Sequence, residues 1–284
     1  MNRSPDVLIA GAGPAGAATA LRLARAGLDV LVVDRAVFPR EKICSEYNSP
    51  EGVRHLAQLG VLETIERQGG HRIRGTSVDA PGGSRLTGLF ARAGHAPFRD
   101  TGLSISRRIL DAALVDGARK AGAVVLERAT VRSVLEDQGA VRGLVVRDGN
   151  GPDREIRARL TIGADGLHSL VARRIGARTT GSPRRFGFVA HFADVAGLGP
   201  TTEMHVGTEG YVGLNPLGGG IANVALVVPA RRAAAARGRV DEFFFRELAR
   251  YPGVAGRVSR SAMVRSVLTT GPFAAWSRRV IAPG

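Results

Sequence analysis

The sequence predicts an α/β fold in which a β-rich region is threaded through a parallel, nucleotide-binding unit. Three observations predict it. Residues 6–35, DVLIAGAGPAGAATALRLARAGLDVLVVDR, read strand, helix, strand within about thirty residues. Residues 158–176, ARLTIGADGLHSLVARRIG, repeat the strand–glycine turn–helix pattern and return the chain to the first sheet. Between and after them lie hairpin-like runs with glycine-rich turns.

In the first unit, Val7 to Ala10 is a short apolar run that suits a buried parallel strand. Pro14 to Ala26 holds good helix formers, with Pro14 in the first turn, where its missing N–H costs nothing, and Gly27 as a stop. Asp29 to Val33 is the second strand, ending in Asp34. Gly11, Gly13 and Gly16 form G-x-G-x-x-G at the strand–helix junction, with Pro14 and Ala15 between the last two glycines. Such a junction offers a tight turn, a close backbone approach for pyrophosphate and close helix–strand packing, with the anion on free N–H groups at the helix start. Asp34, at the end of the second strand, is placed to accept from ribose hydroxyls. A glycine-rich turn without a ligand is the competing reading; the flanking strand, helix and acid favour a dinucleotide.

Further along, residues 48–60 read as a helix opened by Ser49 and Pro50, and a second short helix covers 62–68. Residues 73–90 read as a hairpin around Pro81-Gly82-Gly83. The segment ISRRILDAALVDGARKAG is an amphipathic helix with Ser106 as its expected N-cap. Strands with a turn near Gln138-Gly139 follow, then strand-like sequence from Arg185 to about Pro229, a helix over 241–250 and more strand to about Thr270.

Composition narrows the function. The 284 residues are 44% apolar and 23% charged, as in an ordinary globular protein. The net charge of +15 comes almost wholly from scattered arginine, with lysine only at 42 and 120, and aromatics are 5%. Nucleic-acid binders concentrate charge and interleave aromatics, so nucleic acid is not the expected partner; a basic surface suits an anionic cofactor or an anionic membrane face. No run is long and apolar enough to span a bilayer, and the N-terminal apolar run continues into periodic structure rather than ending at a cleavage site. With a single cysteine no internal disulfide forms, and the expected location is cytoplasmic, with a peripheral membrane contact compatible with the charge. His55, His71, His95, His168, His191 and His205 show no metal-ligand spacing, and G-x-S-x-G is absent.

Taken together, G-A-G-P-A-G at 11–16, Asp34-Arg35, FPREKIC at 38–44 and GADGLHSLVARRIG at 163–176 resemble FAD-dependent oxidoreductases of the geranylgeranyl reductase type. Those belong to the para-hydroxybenzoate hydroxylase fold, a Rossmann-like FAD-binding domain interleaved with a β-rich substrate domain. The resemblance implies FAD-binding segments at 1–72 and 101–178 and substrate-domain segments at 73–100 and 179–275. It also implies a return strand starting at 276–284, with the Gly-Asp-Ala motif that follows it in the family missing after Gly284.

Position by position, the resemblance implies FAD on Gly11, Gly13, Pro14, Ala15, Gly16, Asp34 and Arg35. Arg107 matches an arginine on the flavin phosphate or ribitol, Asp165 one near the pyrophosphate, and Arg40 one at the active-site entrance. The bland alternatives are an exposed helix arginine, a turn aspartate bonding its own backbone, and a solvated loop arginine. Cys44 lies on the loop that lines the flavin face in the family, where it would protonate substrate or shape the pocket; a small buried filler is the alternative. The family usually reads Cys-Gly-Glu or Cys-Gly-Gly here, and Ser45 replaces its glycine, which is expected to restrict the backbone beside the flavin. The implied activity is NAD(P)H-dependent reduction of isoprenoid-type double bonds in a small lipophilic substrate. Hydroxylation by a flavin monooxygenase and a truncated, non-catalytic nucleotide binder are the alternatives.

Overall fold

The structure is a computed structural model that describes residues 4–92, 94 and 96–277. Its first layer is a four-stranded parallel sheet in the order Leu160–Gly163, Val7–Ala10, Val30–Val33, Val124–Leu126. Both faces are covered, which is why Val7–Ala10 and Val30–Val33 are apolar without alternation. Val7, Ile9, Val30 and Val32 pack on the helices Pro14–Arg25 and Arg107–Lys120. Leu8, Ala10, Leu31 and Val33 pack on an antiparallel sheet of Ala129–Asp137, Ala140–Asp148 and Asp153–Arg157. Gly117 brings the two helices together: a Cβ there would lie 2.8 Å from Leu21 Cδ1.

The second large sheet has seven strands, in the order Met263–Thr270, Arg185–Ala193, Ile221–Pro229, Tyr211–Gly218, Thr202–Val206, Gly75–Asp79, Arg85–Leu89. Neighbours are antiparallel except Thr202–Val206 and Gly75–Asp79, which run parallel. The period-2 alternation of these strands sorts their side chains. Phe188, Ala190, Phe192, Ala222, Val224, Leu226 and Val228 face the helix Val240–Leu248, whose Phe243 and Phe244 are buried against them. Gly187, Val189, His191, Asn223, Ala225, Val227, Gly213 and Asn215 alternate with these and face the other way, toward the chain's first fifty residues.

A small sheet joins the two layers: Tyr47–Asn48 and His71–Ile73 both pair with Gly102–Ser104. Ala275–Ser277 pairs with Arg178–Thr180, and the rest of the expected return strand, 278–284, lies outside the described residues. Among the described residues, no helix is long and apolar enough to cross a membrane.

One expectation needs correction. Ser106 occupies the N-cap position of Arg107–Lys120, but its side chain makes no capping hydrogen bond. The Arg107 N–H donates instead to Glu46 Oε1 at 3.1 Å, so a distant, ionised carboxylate has taken the cap from the local hydroxyl.

On two adjacent strands of the seven-stranded sheet, His205 is buried between Asp79 and Glu203, its ring nitrogens 2.8 Å from a carboxylate oxygen of each, and Arg257 binds Glu203 with two nitrogens. Burial alone would raise the Glu203 carboxyl; hydrogen bonds from His205 and Arg257 overcome it and lower it from 4.5 to about 2. A depressed folded-state value means stability that is full above pH 4.5 and is lost as pH falls toward 2. Glu203→Gln should therefore destabilise the protein at neutral pH by on the order of 3 kcal/mol and flatten its melting temperature against pH across that window; equal pH profiles for both proteins would refute the assignment.

Candidate active site

The glycine loop sits where the first parallel strand meets its helix, and the three glycines differ in what they make room for. Gly11 has a φ of +98°, and a Cβ there would lie 2.4 Å from the Ala164 carbonyl oxygen of the second glycine turn. A Cβ on Gly16 would lie 1.8 Å from the Gly11 oxygen, so helix and strand touch only because position 16 is bare. Gly13 is unlike both. Its φ is an ordinary −68°, and a Cβ there would have 3.6 Å to its nearest neighbour, Arg40 Nη2. Among the described residues, nothing requires glycine at 13. The bare position leaves a cradle at the N-terminus of Pro14–Arg25, open to an anionic ligand.

Charge around the cradle is positive. Desolvation, then the like charges of Arg40, Arg107 and Arg35, hold the Lys42 ammonium below its ordinary value. Arg40 and Arg107 converge on one fully buried carboxylate, Asp111, with Arg40 Nη1 at 3.0 Å and Arg107 Nε and Nη2 at 2.7 and 2.8 Å. Burial would lower the Arg107 guanidinium, but its bonds to Asp111 and its contact with Cys44 raise it instead. Asp34 accepts from the Ala12 N–H at 2.7 Å and the Ala36 N–H at 2.8 Å, tying the glycine loop to the end of the second strand. Pro14 and Ala15 open the helix beyond the cradle, and Arg35 is exposed beside it.

The structure thus brings Gly11, Gly13, Gly16, Asp34, Arg35, Arg40 and Arg107 to one side of the fold. Arg40 lies against the glycine loop, with its guanidinium 5.1 Å from the Phe38 ring centroid, and is absent from the wall of the cavity described below. Asp165 holds its own turn: it accepts from Ser169 Oγ and from the Leu170 and Val171 N–H groups at 2.6 and 3.3 Å, which start the short helix Leu170–Arg174.

Cys44 stands at the wall of a cavity of about 410 Å³ between the 43–47 segment and the seven-stranded sheet. The far wall is largely apolar, with Val189, Met204, Leu214, Ala225, Val227 and Phe273. The expected strain at Ser45 is not found. The left-handed residue is Glu46, with φ +59°, while Ser45 is exposed and has no positive φ. A non-glycine residue tolerates that region when its surroundings over-determine it, and Glu46 is so determined. Its carboxylate, 2% exposed, takes the Arg107 N–H, His191 Nε2 at 2.6 Å and Asn223 Nδ2 at 2.8 Å. Asn223 also donates to the Cys44 carbonyl, and Asn215 to the carbonyls of Ser45 and Glu46. Burial opposes ionisation of Glu46; the His191 and Asn223 hydrogen bonds and the Arg107 N–H reverse it and lower its carboxyl below the ordinary value.

Asp111, Glu46, His191, Asn215 and Asn223 are site residues that sequence reasoning missed. Two signals could have found them. Asp111 follows Arg107 by four residues on a buried helix face, an ion-pairing spacing. His191, Asn223 and Asn215 interrupt apolar strands and lie side by side in register.

With this geometry in hand, comparison with known proteins is direct. The FAD binding domain family matches residues 4–250. The chain belongs to that family. Among curated relatives, a digeranylgeranylglycerophospholipid reductase of Methanosarcina mazei is 31% identical over 228 residues, 78% of this chain and 54% of that protein. A menaquinone reductase of Mycolicibacterium smegmatis is 32% identical over 270 residues, 88% of this chain and 62% of the relative. The chain therefore spans about half to two thirds of the length of such relatives. Among solved structures, the myxobacterial chondrochloren halogenase CndH has a TM-score of 0.86 at 22% identity, covering 97% of this chain and 65% of that one. A geranylgeranyl bacteriochlorophyll reductase-like protein from Thermoplasma acidophilum has a TM-score of 0.74 at 22% identity, with 97% of this chain and 66% of that one covered. These likenesses show the fold, and the family resemblance read from the motifs agrees with the relatives.

The cradle fits the dinucleotide. Gly11, Gly13, Gly16 and the N–H groups opening Pro14–Arg25 would hold the FAD pyrophosphate, with Asp34 at the ribose and Arg40 and Arg107 supplying positive charge. Two glycine substitutions separate ligand space from fold space. Gly13→Ala should leave the flavin-free melting temperature within about 2 °C yet weaken FAD at least tenfold, because its Cβ meets only the ligand. Gly16→Ala should lower the melting temperature sharply. Equal effects of the two on folding, or normal FAD affinity in Gly13→Ala, would contradict the assignment.

Proposed function

We propose that the protein is an FAD-dependent oxidoreductase that takes electrons from NAD(P)H and reduces a double bond of a lipophilic, isoprenoid-type substrate. The observation that carries the reading is the apolar cavity whose wall includes Cys44 and whose near side is the segment anchored beside the glycine cradle. When bound, FAD supplies hydride chemistry that the side chains lack. The chain's own residues hold the cofactor, keep the 43–47 segment rigid and exclude water from the apolar chamber. Cys44, in contact with the Arg107 guanidinium, is the candidate to deliver a proton or shape the chamber next to the reacting bond.

An apolar route leads in. Thr76, Thr202 and Met204 line the cavity, and by strand register Val78 and Leu86 continue the same face to the open edge of the sheet. Leu86 is 74% exposed there, the most exposed large apolar side chain among the described residues. A lipophilic molecule delivered from a membrane surface would meet this edge. The relatives' names, reductases of a glycerophospholipid and of menaquinone, support a lipid-like substrate.

The test is anaerobic. FAD-loaded protein mixed with NADH or NADPH should lose its visible flavin band, and a prenyl substrate should restore it with uptake of two hydrogens. Cys44→Ala should slow restoration by at least tenfold without altering FAD affinity. Restoration only by oxygen, with a hydroxylated product, would replace the reductase reading with a monooxygenase. No FAD uptake at all would remove both.

A further inference from the structure

The cavity is largely apolar on its sheet side, and five of the polar side chains around it are already engaged. The Asn215 and Asn223 amides hold the backbone of residues 44–46, Thr76 and Thr202 bond one another, and Glu203 bonds His205 and Arg257. Two phenols on the cavity wall, those of Tyr47 and Tyr211, have no hydrogen-bond partner among the described residues. Tyr47 is the one in the 43–47 segment, three residues beyond Cys44.

Its placement is fixed from three sides. Glu46, pinned by its carboxylate, sets the chain direction into Tyr47, and the Tyr47 backbone pairs with Ser104. The ring stacks on Phe90, with centroids 6.4 Å apart and planes at 27°. Partial burial raises the phenol above its ordinary value, which favours its protonated, hydrogen-bond-donating form. A rigid aromatic ring with one unspent donor, facing a chamber of apolar side chains, orients a ligand by a single polar contact.

We propose that the Tyr47 hydroxyl donates a hydrogen bond to an oxygen atom of the substrate, making the site selective for lipophilic molecules that carry a carbonyl or similar acceptor near the part held beside Cys44. The inference rests on reading this cavity as the substrate site. It concerns binding, so it stands or falls separately from turnover.

The test uses the full chain with FAD added and two probes of matched shape, 2-acetylnaphthalene and 2-isopropenylnaphthalene, titrated by calorimetry. Tyr47→Phe keeps the ring and removes the hydroxyl. It should weaken the ketone about fivefold, the worth of one neutral hydrogen bond, and leave the hydrocarbon unchanged. Tyr211→Phe, at another part of the same wall, should change neither. Gly213→Leu locates the binding: a Cβ there has no neighbour closer than 3.9 Å, so the side chain would fill the cavity without disturbing the sheet, and both probes should be lost. The proposal is overturned if the ketone binds Tyr47→Phe as tightly as wild type, if both probes weaken equally, or if binding survives Gly213→Leu. Failure of FAD uptake with the probe pattern intact would instead count against the flavoenzyme reading alone.

Discussion

The Glu46 carboxylate is a buried charge that joins the two halves of the molecule. Taking an ion out of water is costly unless each lone pair finds a donor, and here three donors from separate parts of the chain converge. The Arg107 N–H belongs to a helix of the parallel unit, while His191 and Asn223 belong to two adjacent strands of the seven-stranded sheet. With the carboxylate in place, the segment from Cys44 to Tyr47 cannot slide, and the glycine cradle and the apolar cavity keep a fixed relation. The left-handed backbone at Glu46 is tolerated because this network over-determines it.

Asp111 plays the matching part on the nucleotide side. It is fully buried and gathers Arg40 and Arg107 into a compact positive cluster beside Gly13. Two arginines near one cradle would repel; a shared carboxylate lets both approach an anionic ligand without leaving net repulsion between them. Arg107 thus serves both networks, its backbone N–H capped by Glu46 and its guanidinium held by Asp111.

The elements built from local signals were legible in the sequence. The strand–glycine loop–helix unit, the 73–90 hairpin and the helix starting at Pro50 all follow from periodicity, glycine and proline placement, and Ser49 caps its helix as read. What was not legible depends on contacts distant in sequence. Glu46 and His191 are 145 residues apart, and no local rule pairs them. The same distance effect explains why Ser106, which sits at the N-cap as read, makes no capping hydrogen bond: a carboxylate sixty-one positions from Arg107 takes that N–H instead. It also explains why concern fell on Ser45. The motif marks a tight backbone in that segment, but only the three-dimensional network shows that the tight residue is Glu46.

The claim at the centre of this account is that Glu46 and His191 act as one unit across the junction of the two halves. A double-mutant cycle on stability, with Glu46→Gln, His191→Gln and the double variant, measures that unit directly. The account predicts a coupling of at least about 1 kcal/mol, with the second substitution costing little once the first has been made. Additivity within about 0.5 kcal/mol would show the two side chains to be independent and would contradict it.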